Sequence, residues 1–173
     1  IIMKIIFDFG CHKGQNFEYF FNKADIIVAV EANPILAEDI KKKYKNEINE
    51  GRLILENKAI SSKNKKSINF YISKKDSVLS QIEYPKNIKK FKKIKTQCIS
   101  ARSLINKYCN KYNITNPYYI KIDVERHDAI ILNDILNNRI LPNYMSCEAH
   151  DPEVIRILLK SPYKSFKVIE GLD

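Results

Sequence analysis

Phe7-Asp8-Phe9-Gly10-Cys11-His12-Lys13-Gly14 closes an apolar run that opens at Lys4. Lys4 to Phe9 has the length and apolar density of a buried strand, and Gly10 ends it. Phe17, Phe20 and Phe21 then recur at helical spacing, which predicts a helix over residues 14–22. Ile26 to Val30 is a second buried strand. A strand, a glycine turn, a helix and another buried strand make the opening unit of a parallel sheet.

The same alternation continues outward. Asn33-Pro34 supplies a helix N-cap with proline at the first helical position, and Leu36, Ile40 and Tyr44 lie on one helical face. Leu53 to Leu55 reads as a short third strand, and Ile68 to Ile72 as a more peripheral one. Ser103 to Tyr112 is a helix closed by Asn116-Pro117. Tyr118 to Val124 is the next central strand and Asp128 to Leu136 the helix after it. Tyr144 to Ala149 (strand), Glu153 to Leu159 (helix) and Phe166 to Ile169 (strand) complete the series. The expectation is an α/β fold, one domain over residues 1–173, with a mostly parallel doubly wound sheet between two helical layers. Ser73 to Thr96 resists this scheme. It carries Tyr84-Pro85 and a lysine-dense run from Lys86 to Lys95, and reads as a lysine-rich insert: a lid, a binding loop or a mobile basic segment.

Composition bounds the function class. Hydrophobic residues at 45% fit a globular chain, while the net charge of +10 is high for 173 residues. The excess is mostly lysine, in a sequence also rich in isoleucine and asparagine. It reads either as a field for nucleic acid or an anionic lipid surface, or as a solvated exterior. No segment reaches the roughly 18 continuous apolar residues of a membrane span. Ile1-Ile2-Met3-Lys4 runs straight into strand, so no signal peptide is expected, though two residues ahead of the methionine suggest a fragment or a leader. Cys11, Cys98, Cys109 and Cys147 show no metal-ligand spacing with the three histidines. They read as reduced thiols in a cytoplasmic protein, with no metal assigned.

Gly10 and Gly14 are two of only four glycines, and both fall between the first strand and its helix. Glycine there permits a sharp turn and close approach of a ligand. Glu31 ends the second strand, where such units place the acid that takes ribose hydroxyls. A dinucleotide site wants G-x-G-x-x-G for its pyrophosphate. The chain instead has Gly-x-x-x-Gly with Asp8 two positions ahead, which suits a cofactor bearing a positive sulfonium and an amino group. The bland alternative is a structural glycine turn beside a solvent-facing glutamate.

Three pieces resemble, in order and spacing, the FkbM-type SAM-dependent methyltransferases. They are Asp8-Phe9-Gly10-Cys11-His12-Lys13-Gly14, Val30-Glu31-Ala32-Asn33-Pro34 and Ile120-Lys121-Ile122-Asp123-Val124-Glu125. The family pattern is approximately D-x-G-A-N-x-G, E-P-x-P and K-I-D-V-E-G-x-E, then a strand ending in an acid, here Cys147-Glu148-Ala149-His150. The resemblance covers about residues 5–152. It implies a Rossmann-like class I methyltransferase that moves a methyl group from S-adenosylmethionine to a hydroxyl oxygen of a sugar or other small acceptor. It further implies that Asp8, Gly10 and Gly14 surround the methionine part, Glu31 and Ala32 the ribose, and Asn57 the adenine side, with Cys11, His12 and Asp123 completing the set. Cys11-His12 replaces alanine-asparagine, Ala32 a proline, Arg126 a glycine and Asp128 a glutamate. The chain ends soon after residue 169, so the family's last strand is expected to be missing.

In open α/β sheets ligands bind beyond the carboxyl ends of the strands. Asp123 and Glu125 finish one central strand and Glu148 and His150 the next. Adjacent strands are about 5 Å apart, so the four could converge. His150 is the candidate general base, because imidazole titrates near neutrality. Asp123 is the alternative base, Glu148 the orienting group, and Glu125 and Arg126 face the acceptor. Alternatively His150 is a surface residue before Asp151, which caps the next helix. A divalent metal on these groups finds no support in ligand spacing. His12 and His127 read as polar residues at helix starts. Two rival functions remain open: a nucleic-acid methyltransferase, favoured by the charge and by Phe91 within the lysine run, and a SAM-binding module without catalysis. Oligomeric state is left open.

Overall fold

The computed structural model describes residues 3–169. Its first strand, β1 (Ile5–Phe9), is followed by a short helix α1 (Phe17–Phe21), β2 (Ile26–Val30), α2 (Pro34–Lys43), α3 (Lys45–Asn49) and β3 (Leu53–Glu56). Then come β4 (Ala59–Ser61), β5 (Lys65–Ser73), β6 (Phe91–Ser100) and α4 (Ala101–Lys111). The chain continues through β7 (Tyr119–Ile122), α5 (Asp128–Asn137), β8 (Tyr144–Cys147) and α6 (Pro152–Leu159). β3, β2, β1, β7 and β8 lie in that order in one sheet, and every pairing in it is parallel. β4, β6 and β5 form a second, three-stranded sheet.

The alternation of strand side chains produces the layers. Ile5, Phe7 and Phe9 point to one face, where Leu104, Ile105, Ile131, Leu132 and Val154 from α4, α5 and α6 cover them. Ile6 points to the other, against Phe17, Phe20, Ile40 and Tyr44 from α1 and α2. Both faces of β1 and β2 are therefore buried, which is why these strands read as apolar runs. Asn33 Oδ1 accepts from the Ile35 N–H at 3.1 Å, the N-cap expected for α2.

Three expectations need correction. The helix read over residues 14–22 begins only at Phe17, because Gly14 takes a left-handed φ of +73° and the chain turns through Asn16 first. The stretch at 73–96 is not all connection: its last six residues, 91–96, belong to strand β6, antiparallel to β5, with Phe70 opposite Ile94 and Tyr71 opposite Lys93. The lysines hid this strand. Lys93, Lys95 and Gln97 are exposed while Ile94, Thr96 and Cys98 turn inward, the period of a half-buried strand. Phe166 to Ile169 forms no strand: Val168 is 93% exposed, and nothing among the described residues pairs with it.

Candidate active site

β1 lies between β2 and β7, where the strand order reverses, and the crevice at such a point opens beyond the carboxyl ends. The turn after β1 is stitched to the end of β2, since the Gly10 and Cys11 N–H groups both donate to the Val30 carbonyl at 3.1 Å. Gly10 has φ +79°, and a Cβ there would stand 1.8 Å from the Asp123 carbonyl oxygen. The close approach that demands glycine is thus to the exit of β7. The rest of the turn is equally committed. The His12 N–H donates to Glu31 Oε2 at 2.9 Å, the Lys13 N–H to Gln15 Oε1 at 3.2 Å, and the Gly14 N–H to the Cys11 carbonyl at 2.7 Å. No amide from Gly10 to Gly14 is left to cradle a pyrophosphate.

Against this turn opens a cavity of about 210 Å³. Gly10, Cys11, His12, Glu31, Ala32, Asp123 and Glu125 all line it. Asp8, Gly14, Asn57, Arg126, Glu148 and His150 do not. Asp8 lies fully enclosed beneath the turn, and neither of its oxygens has a hydrogen-bond partner. Asn57 donates its amide to the Glu31 carbonyl at 2.8 Å, so it holds the end of β2 in place. Lys121, which lies in the Ile120–Glu125 piece but was given no role there, also lines the cavity, as do residues of the segment from Ser77 to Ile82, part of the stretch read as a lid, a binding loop or a mobile segment. The segment is held by a 2.7 Å hydrogen bond between Ser77 Oγ and His12 Nε2.

The electrostatics follow from burial. Glu31 is pushed up to about 7 by desolvation, although the Asn33 and His12 amides pull the other way. Asp8 is raised to about 6 by its burial, against the pull of Lys121, whose Nζ stands 3.6 Å away. Burial lowers the pKa of Lys121, but Asp8 and Asp123 outweigh it and the net shift is upward; its Nζ bonds Asp123 Oδ2 at 2.7 Å. The His12 imidazole is lowered by burial, and so is that of His127, whose Nε2 meets Ser61 Oγ at 2.9 Å. Glu148 is raised to about 7 by burial and then by Asp123, and its Oε1 pairs with His150 Nε2 at 2.9 Å. The His150 side chain is 66% exposed. Glu125, Glu148 and His150 each bring one ligand atom within 4.8 Å of the others, close enough to hold a divalent cation. Asp151 caps α6 through the Glu153 N–H at 2.9 Å.

A family model described as the methyltransferase FkbM domain matches residues 8–164. The chain belongs to the FkbM methyltransferase family. A crystal structure of the methyltransferase FkbM from Methylobacillus flagellatus KT is similar over 78% of this chain, at 9% identity and a TM-score of 0.47. The match covers 29% of that protein's own length. No curated protein matches the chain.

Two departures from the FkbM pattern acquire a physical meaning. His12, where the family has asparagine, takes φ +49°, a left-handed conformation that asparagine and histidine enter more readily than most residues. Arg126, where the family has glycine, takes φ +64° directly after Glu125 at +39°. Glycine enters that region freely, whereas a side chain there costs about 1 kcal/mol.

Proposed function

We propose that the chain transfers a methyl group from S-adenosylmethionine to a hydroxyl oxygen of a sugar or another small acceptor. Family membership supports methyl-transfer chemistry. The observation that carries the cofactor reading is that the glycine turn and Glu31 line one cavity at the reversal of strand order. The residues fit the group. Each Glu31 oxygen accepts one backbone N–H, which leaves acceptor capacity on both for ribose hydroxyls. Glu31, Asp123 and Glu125 bring three carboxylates to the cavity wall against Lys58 and Lys121, the latter paired with Asp123, a balance still favourable to a sulfonium and an ammonium. The committed amides of the turn disfavour NAD.

The cavity is smaller than the roughly 300–1,000 Å³ of sites that enclose such ligands. The wall at Ser77–Ile82, tied to the turn by the His12–Ser77 hydrogen bond, bounds the space on the side facing the small sheet. S-adenosylmethionine, when bound, supplies an electrophilic methyl group on positive sulfur. The chain must align the acceptor in line with it, which can lower the barrier by roughly 7 kcal/mol, and must take the acceptor's proton. His150 is the base. Its Nε2 stands 2.9 Å from Glu148 Oε1, which orients the imidazole, and the ring nitrogen that carries no proton receives the hydroxyl proton. Because His150 stands outside the cavity wall, the acceptor approaches from solvent.

Mass spectrometry of the purified protein for co-purified cofactor, followed by a methyl-donor consumption screen over sugars, lipids and RNA, tests this. S-adenosylmethionine and a methylated hydroxyl are expected. Bound NAD would contradict the cofactor, methylated RNA would move the acceptor to nucleic acid, and binding without turnover on any acceptor would leave a binding module. Among the described residues no helix is long and apolar enough to cross a membrane. A site in the cytoplasm belongs to this proposal.

A further inference from the structure

Eleven lysines fall between Lys63 and Lys95, against only Asp76 and Glu83. That stretch carries nine of the ten excess positive charges, and the remaining residues are nearly balanced. A compositional bias of the gene would spread lysine over the whole chain; here the excess sits on β5, β6 and their connection. All eleven lysines are exposed. None forms an ion pair with a carboxylate among the described residues.

The end of this hairpin where β5 gives way to its connection gathers both charge and apolar surface. Ser73 pairs with Phe91, the Lys74 N–H donates to the Lys90 carbonyl at 2.9 Å, and Lys74 Nζ reaches the Lys89 carbonyl at 3.0 Å. Lys74, Lys75, Lys89 and Lys90 therefore cluster there. The tight turn Ser77–Leu79 presents Val78 and Leu79 in the same region, each 48% exposed. Aliphatic side chains offer nothing to a phosphate or a base edge, but beside lysines they suit the boundary between headgroups and acyl chains. Nucleic acid asks for arginine forks or open aromatic faces. The stretch has no arginine, and its one well-exposed aromatic ring, Tyr84, is already braced edge-on against Tyr71 at 5.6 Å, too few faces for a strand of bases.

We propose that this end of the small sheet docks peripherally on an anionic lipid bilayer, the lysines meeting the headgroups and Leu79 entering below them. The segment Ser77–Ile82 also lines the cavity, so docking sets the cavity mouth at headgroup height. The surface is independent of the methyl-transfer reading, and each can fail without the other.

Sedimentation of the full chain with vesicles tests the surface, using phosphatidylcholine alone or with roughly one-third phosphatidylglycerol, at about 0.05 M and about 0.5 M salt. Binding is expected only to the anionic vesicles, and at least tenfold weaker at the higher salt. Replacing Lys89, Lys90, Lys92 and Lys93 together by glutamine should weaken it tenfold or more, and Leu79→Asp alone several-fold. Replacing Lys41, Lys42, Lys43 and Lys45 by glutamine removes the same charge elsewhere and should leave binding near that of the unaltered chain. Circular dichroism confirms that each variant is folded. No sedimentation, equal binding to neutral vesicles, equal loss in both quadruple variants, or binding to oligonucleotides while vesicles are ignored would each overturn the proposal.

Discussion

The two sheets of this chain handle charge in opposite ways. The carboxyl ends of the parallel sheet and the turns after them collect Asp8, Glu31, Glu125 and Glu148, and burial is the first cause of a raised pKa in each. The three-stranded sheet collects lysines that stay in water. A buried carboxylate costs free energy, so several held at one crevice mark a place where the fold spends stability on binding and chemistry. An exposed lysine costs little by itself and acts through the field it shares with its neighbours. The proposed chemistry lies in the first region and the proposed attraction in the second.

The largest effect expected in the acidic region is on turnover. His150→Ala should lower the methyl-transfer rate by about 10²- to 10⁴-fold, the usual worth of a positioned base, with cofactor affinity unchanged. Near-normal rates would pass the base role to Asp123. The same assay with a chelator separates a base from a metal site: rates should hold, whereas a loss restored by Mg²⁺ would give Glu125, Glu148 and His150 to a cation. Gly10→Ala should cost roughly 3 kcal/mol or more of folding stability in urea denaturation, since its Cβ collides with backbone rather than with a movable side chain. A loss under 1 kcal/mol, on the order of an ordinary surface change, would mean that β7 does not approach the turn so closely.

Proton linkage gives the next effect. Glu31 is raised to about 7 in the free protein, and hydroxyl donors favour its charged form. Cofactor affinity should therefore rise about tenfold from pH 6 to pH 8; a flat profile would remove Glu31 from the ribose. For stability the sign is reversed. Asp8 and Glu31 bind more protons folded than unfolded between about pH 4 and pH 7, so their contribution is full at low pH and declines as pH rises through that window. Arg126→Gly should stabilise the fold by about 1 kcal/mol through relief of its left-handed backbone. A destabilisation would show that the arginine side chain holds something in place.

The comparison also explains what could be read from residues alone. β1 and β2 were legible because both faces are buried and both are apolar throughout, and Glu31 was legible as the acid ending such a strand. β6 was not, since lysine density masked a period of two that Ile94, Thr96 and Cys98 still carry. The two sides of the cavity differ likewise. Cys11, His12 and Ala32 follow a strand end within three residues, so local reading reaches them. Lys121 and Ser77 lay inside stretches the sequence marked, but their places in the cavity come from side-chain direction and from a contact spanning 65 positions, which leave no local signal. At position 126 the sequence shows only an arginine; its left-handed φ of +64° appears in the structure alone.

Isothermal titration of S-adenosylmethionine into the unaltered chain and into Glu31→Ala, at about pH 8 where the carboxylate is charged, bears most directly on the shared cavity. Binding at one site per chain is expected, weakened roughly a hundredfold in the variant by the loss of two charge-assisted hydrogen bonds. Equal affinity in the two proteins, or no binding by the unaltered chain, would contradict the claim that the glycine turn and Glu31 hold one adenosyl ligand.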